Sequence, residues 1–192
     1  MRMRCTRPWK RFLALAFAAL LMGAGPAQAE RADPENFYNI VAFGDFQRNL
    51  KDALASGKKG MLVYFFQDQC PFCNKMEQEV FTRPIVHEFF HKYFDVYKVN
   101  IKGNKNFVDV DGDSVSQMKF AVQNRARATP TLIIFGKGGE ELVRFITNPS
   151  VEEFLAMGKF VVEGAYKDGT DFFNYKRETG SGIEQEVRQE YL

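Results

Sequence analysis

The sequence predicts an α/β domain with a central mixed sheet and helices on both faces. Three observations carry that expectation. Between residues 43 and 166 the apolar pattern runs helix, strand, helix, strand, helix, strand, strand, helix, an alternation that layers helices over a sheet. The run MLVYFF at 61–66 is apolar throughout, as a strand buried on both faces requires. A chain of 192 residues carrying 20 Phe can build one core without staples.

Each element has its own signal. Residues 30–39 read as an extended lead-in. Asp45 can cap a helix over 46–56, with Phe46, Leu50, Ala53 and Leu54 on one face. The glycines of 57–60 end it, and 61–66 is the central strand. After Cys70 a helix turns Met76, Val80 and Phe81 inward until Thr82-Arg83-Pro84 interrupts it. A second helix, 85–92, buries Ile85, Val86, Phe89 and Phe90, with Tyr93 following. FDVYKVNI at 94–101 is a strand, and 102–113 is a polar loop. Ser114 with Gln117 reads as a capping box for a helix reaching Asn124. Residues 131–136 and 141–146 form a hairpin around the Gly-rich turn 137–140. Ser150 with Glu153 opens a last core helix that buries Val151, Phe154, Leu155, Val161 and Val162. Residues 169–192 are polar apart from Phe172, Phe173 and Tyr175, and are expected to pack loosely or stay unfolded.

Residues 1–29 read as a secretory signal peptide. Five basic residues (Arg2, Arg4, Arg7, Lys10, Arg11) precede an apolar core at 12–22, and Ala27-Gln28-Ala29 supplies a small-x-small cleavage site. The core is short for a spanning helix, and an uncleaved anchor is the alternative. The division expected is 1–29 signal, 30–167 domain and 168–192 polar C-terminal extension, with export to the periplasm. Without the five basic residues, 26 cations fall to 21 against 24 acids, a net charge of −3. A mildly acidic body gives no reason to expect nucleic-acid or lipid binding. The mature chain keeps two cysteines, Cys70 and Cys73, in one Cys-Pro-Phe-Cys.

That motif is where the chemistry concentrates. Following a buried strand, Cys70 falls at or beside a helix N-cap, where free N–H groups and the helix dipole stabilise a thiolate. Pro71 suits the first helical position, which needs no donor. Cys73 lies one turn on, within disulfide reach. A purely structural disulfide is the plain alternative, but so short a loop constrains the unfolded chain little. Thiol–disulfide exchange is therefore expected, with Cys70 attacking and Cys73 resolving.

The order of elements, Cys70-Pro71-Phe72-Cys73 and Thr129-Pro130-Thr131 together resemble the thioredoxin fold over 43–166. VYKVNI at 96–101 is similar to that family's third strand. The resemblance implies a cis Pro130 facing the cysteine pair and a Thr129 backbone that pairs with an extended substrate segment. Phe72 is expected as an exposed apolar contact for partner proteins. More narrowly, CPFCNKMEQEVFTRPIV, ARATPT and FLAMGKFVVEGAY resemble periplasmic SoxW-type, thioredoxin-related proteins. The chain departs from thioredoxin proper at three places. Pro71-Phe72 replaces Gly-Pro, Gln69 replaces the Trp before the motif, and Tyr64 replaces the buried acid that assists the resolving cysteine. Lys98 is a weaker candidate modulator of the pair.

These resemblances imply an exported reductase of protein disulfides, serving sulfur oxidation or cytochrome maturation. It would need a membrane or periplasmic electron-transfer partner to reset the pair, and no cofactor or metal. A Dsb-like oxidase or isomerase would run the same exchange in the other direction. Two readings of other classes stand beside these. Cys70, Cys73, His87 and His91 loosely match a two-Cys, two-His zinc site, and His87-Glu88-Phe89-Phe90-His91 matches H-E-x-x-H. Glu77, Arg83 and Pro84 stand where a finger needs apolar helix. A peptidase needs a third ligand that nothing marks. The two His, Glu88 and Lys92 read as a solvated helix face. Asp109, Asp111 and Asp113 hint at a calcium loop, but Ser114 and Phe120 occupy its required Gly and Glu positions. A binding module without turnover is the remaining alternative, and it usually shows lost cysteines.

Overall fold

The structure is a computed structural model that describes residues 30–38, 44–179 and 181–192. The expected signal segment lies outside the described residues. One compact unit spans Arg31–Leu192.

Its sheet grows from β1 (Gly60–Phe66), whose first six residues are buried. β2 (Phe94–Asn100) pairs with it in parallel, Tyr64 opposite Lys98. On the other side β5 (Thr131–Phe135) pairs antiparallel, Tyr64 opposite Leu132, and β6 (Glu141–Ile146) closes the hairpin. The order β2-β1-β5-β6 makes the sheet mixed. A separate ribbon pairs β3 (Asn106–Val108), in the stretch expected to be a polar loop, with β4 (Ser114–Ser116), where the helix was expected to start.

The period of two divides the core. Leu62, Tyr64, Phe94, Val96, Leu132 and Ile134 face one side, against α2 (Pro71–Glu79), α3 (Pro84–Tyr93) and α5 (Val151–Glu163). Met61, Val63, Phe65, Tyr97, Val99 and Ile133 face the other, against α1 (Phe46–Ala55) and α4 (Gln117–Gln123). Gly158 lets α5 approach α3, since a Cβ there would stand 2.5 Å from Phe89 Cε1. The capping box of Ser150 and Glu153 forms as the sequence predicts.

Three local expectations are corrected. The lead-in contains a 3₁₀ turn, Pro34–Phe37, capped by Asp33, and its Phe37 is fully buried. α4 is capped by Ser116, whose hydroxyl accepts from the Lys119 N–H. Ser114, the expected cap, is taken up by strand pairing with Val108. The tail is helical: α6 (Phe172–Thr179) and α7 (Ile183–Glu190) bury Tyr175, Ile183 and Val187 in the core. Its polar composition hid this, because three apolar residues at suitable spacing suffice when a helix packs on only one side.

Candidate active site

β1 delivers the chain to the site. After Phe66 it turns through Gln69 at φ 57°, a left-handed conformation that costs a residue with a Cβ. Cys70 then takes the N-cap position in extended geometry, and Pro71 occupies the first helical position. The Cys73 N–H donates to Cys70 Sγ at 3.1 Å, so a sulfur does the capping that Ser or Asp does elsewhere. Cys70 and Cys73 are joined as a disulfide, their Cα atoms 5.2 Å apart. Both are 3% exposed, whereas Phe72 between them is 63% exposed.

β5 brings the second half. The Thr129–Pro130 bond is cis. Thr129 Oγ1 donates to Cys70 Sγ at 3.3 Å, and the Thr129 carbonyl oxygen stands 3.6 Å from the same sulfur. The Pro130 carbonyl accepts from the Thr147 N–H at 3.0 Å, and the Thr131 hydroxyl donates to Ala128 O at 2.7 Å. Cys70, Cys73 and Thr129 thus meet, with Pro130 next along the chain, and Phe72 is exposed between the two cysteines. On reduction, negative charge on Cys70 would find the Cys73 N–H, the Thr129 hydroxyl and the N-terminus of α2 already aimed at it. That is the environment of a reactive thiolate.

The core cluster that holds both cysteines also holds Tyr64, with Tyr38 packed against it, and polar groups gather around these two phenols. Tyr64, at the strand position of the missing acid, is buried beside Glu77 and has no partner at full hydrogen-bond geometry among the described residues. Burial first, then the Glu77 charge, holds its phenol well above the ordinary range. Glu77 Oε1 accepts from the Tyr38 hydroxyl at 3.0 Å and pairs with Lys98 Nζ at 2.9 Å. Lys98 also reaches Glu35 Oε1 at 3.3 Å and lies over the rings of Tyr38 and Phe66. Burial and the same Glu77 hold Tyr38 up as well. Sequence reasoning reached Lys98 only weakly and Glu77 not as part of the redox site. The available signal was spacing, since Glu77 lies four residues after Cys73 on α2 and shares its stripe.

The family model for a thioredoxin-like domain matches residues 46–161. The chain belongs to the thioredoxin-like domain family. A thioredoxin-fold protein from Helicobacter pylori is 19% identical with a TM-score of 0.63, over 83% of this chain and 97% of that one. A thioredoxin from Thermus thermophilus is 26% identical with a TM-score of 0.48, over 66% and 88%. A DsbH oxidoreductase is 17% identical with a TM-score of 0.44, over 68% and 83%. No curated protein matches the chain.

Within this thioredoxin-like domain the histidines have another use. His87 Nε2 meets the Phe81 carbonyl, and His91 Nε2 meets that of Phe37 at 3.0 Å, so each Nε2 carries the proton. Both rings pack on Phe37, their centroids 5.4 and 6.0 Å from its own. Of the expected solvated face, Glu88 and Lys92 are exposed, whereas the two histidines clamp the N-terminal segment, and burial holds the His87 imidazole below its ordinary value. Asp109 is 1% exposed. It accepts from the N–H groups of Asp111 and Asp113 and from Gln123 Nε2, so its oxygens organise the β3–β4 turn. Among the described residues, no three His, Cys, Asp or Glu side chains gather as a metal site.

Proposed function

We propose that the chain is an exported thiol–disulfide oxidoreductase that reduces disulfides in periplasmic proteins. The observation that carries the reading is the Cys70 sulfur. It caps α2, is joined to Cys73, and faces both the hydroxyl and the carbonyl of Thr129. The cap and the two Thr129 oxygens serve exchange, and a static crosslink needs neither. The thiolate of Cys70 attacks a substrate disulfide and forms a mixed disulfide. Cys73 then attacks Cys70, the substrate sulfur leaves reduced, and the pair is left oxidised. Phe72, exposed beside the sulfur, and the Thr129–Pro130 backbone are the surfaces a protein substrate would meet.

The sequence of 1–29 supports export to the periplasm, and the SoxW-type resemblance supports the reducing direction. Continued turnover then requires a membrane or periplasmic electron donor. The reduction potential of Cys70–Cys73, titrated against glutathione and dithiothreitol, tests the reading. A value near about −270 mV is expected of a reductase, and one near about −120 mV would make the protein an oxidant instead. A pair that does not titrate would remove the exchange reading altogether.

A further inference from the structure

We infer that the cavity between α1 and the turn of the β5–β6 hairpin binds a single-chain anionic amphiphile. The ligand is a fatty-acid-like carboxylate, its alkyl chain inside and its head at two lysines. The cavity shares no residue with the cysteine site. Phe46 and Leu50 of α1 belong to the core layer on the face of the sheet opposite Cys70 and Cys73. Phe46 is fully buried and forms the floor, its ring centroid 5.1 Å from that of Phe135, at the end of β5 away from Thr131.

The cavity measures about 450 Å³, within the range of about 300–1,000 Å³ typical of small-molecule sites. Its walls are apolar, with Phe46, Leu50 and Leu54 from α1 and Val110 from the loop between β3 and β4. Three segments are fastened around it. Gln47 donates through Nε2 to the Val110 carbonyl and ties α1 to that loop. Gly139, at φ 80°, lets the hairpin turn close on Val110, where a Cβ on it would stand 3.2 Å from the Val110 Cβ. The gap is therefore built by tertiary contacts, as a preformed site is.

The polar groups of the wall decide the ligand. The Val110 carbonyl is taken by Gln47, the Gly138 N–H by Glu140 Oε2 at 2.6 Å, and the Gly139 N–H by the Gly136 carbonyl at 3.0 Å. A peptide or a sugar needs hydrogen bonds along its length and finds these groups already paired, whereas an alkyl chain needs none. Charge of one sign stands at the mouth. Lys51 of α1 and Lys137 of the turn are exposed and line the cavity, and no carboxylate lines it. Neither lysine has an ion pair among the described residues. Glu140, the acid of the same turn, directs its carboxylate to the Gly138 N–H instead. Two ammonium groups at the rim of an apolar cavity suit one anionic head on an alkyl chain.

The test is a calorimetric titration of the protein with dodecanoate, kept below the concentration at which it forms micelles. One dodecanoate per chain is expected. Hexanoate should bind at least about tenfold more weakly, because it buries fewer methylenes. Dodecyltrimethylammonium, the same chain with the opposite charge, should also bind at least about tenfold more weakly. Lys51→Gln/Lys137→Gln should weaken dodecanoate about threefold to tenfold, as loss of two exposed charge contacts does, and should not weaken the cation. Leu54→Trp, half-buried on the wall, should fill the cavity and weaken dodecanoate about tenfold or more. Far-ultraviolet circular dichroism of each variant should match the parent. Both lysines are exposed, so their variant decides the matter even if Leu54→Trp does not fold.

No saturable binding of dodecanoate by the parent would overturn the site. Equal affinity for the two head groups, or an unchanged affinity in the lysine variant, would overturn its anionic class. Unchanged affinity in a folded Leu54→Trp would place the ligand elsewhere and overturn it too. Adsorption to phosphatidylglycerol vesicles without binding of free dodecanoate would make the lysines a membrane contact and overturn the cavity assignment. Each of these results leaves exchange at Cys70 standing.

Discussion

Thr129 presents two oxygen atoms to Cys70, and they act in opposite directions. Its hydroxyl donates to the sulfur at 3.3 Å and favours negative charge there, while its carbonyl oxygen, 3.6 Å away, disfavours it. Thr129→Val deletes only the favourable one. Hydrogen bonds to charged groups are worth about 1.5–3 kcal/mol, and water replaces part of that at a site open to substrate. Alkylation of reduced Cys70 in the Cys73→Ser background is therefore expected to slow about threefold to tenfold at neutral pH. An unchanged rate would mean that the hydroxyl does not support the thiolate. This half of the site was legible in the sequence, because exchange demands cysteines at one spacing and the Thr-Pro-Thr stands out. Glu77 was not. A Glu on a helix reads as solvent-facing until Tyr38 and Lys98, distant along the chain, are seen to close over it.

At the scale of elements, strands and helices were the easier part, because burial imposes periods that composition displays. The short segments were harder. Residues 30–38 show no period, yet Phe37 stacks on Phe81 at 4.2 Å and is held by His91 through its own carbonyl. The two histidines therefore belong to an N-terminal clasp rather than to zinc or to solvent. Phe37→Ala is expected to cost about 3–5 kcal/mol in denaturant unfolding, as loss of a buried ring does. His87→Ala with His91→Ala removes two hydrogen bonds, about 1 kcal/mol each, and should leave the exchange rate within about twofold. Loss of exchange in a still-folded double variant would return the histidines to the chemistry. The pH sign follows from burial. His87 is held low in the fold, so the clasp loses stability as pH falls below the free imidazole value near about 6.5.

At the scale of the whole molecule the tail completes the core. Lys159 on α5 is 4% exposed, a position a lysine occupies only when paired. Its partners are Glu163 of the same helix at 2.8 Å and Glu186 of α7 at 3.0 Å, with Tyr175 of α6 at 3.2 Å and the Tyr191 ring over it. Only the Lys159–Glu163 pair is local, at a spacing of four; Tyr175, Glu186 and Tyr191 come from the tail, and no short-range pattern announces that they meet Lys159. α6 is tied to α5 a second time by Lys176 and Glu153 at 2.8 Å. These links set a sign for acid. Bonding from Lys176 holds Glu153 below the usual carboxylate range against burial. Burial alone would raise Glu163, but Lys159, Tyr175 and Tyr191 outweigh it and hold it low. A carboxylate lowered in the fold stabilises above its unfolded value of about 4.3 and loses that contribution as pH falls through its folded value. The thermal midpoint should therefore drop between neutral pH and about pH 3, and drop less in Glu153→Gln/Glu163→Gln, which starts lower at neutral pH. Parallel curves for the two proteins would place the acid sensitivity in carboxylates other than Glu153 and Glu163.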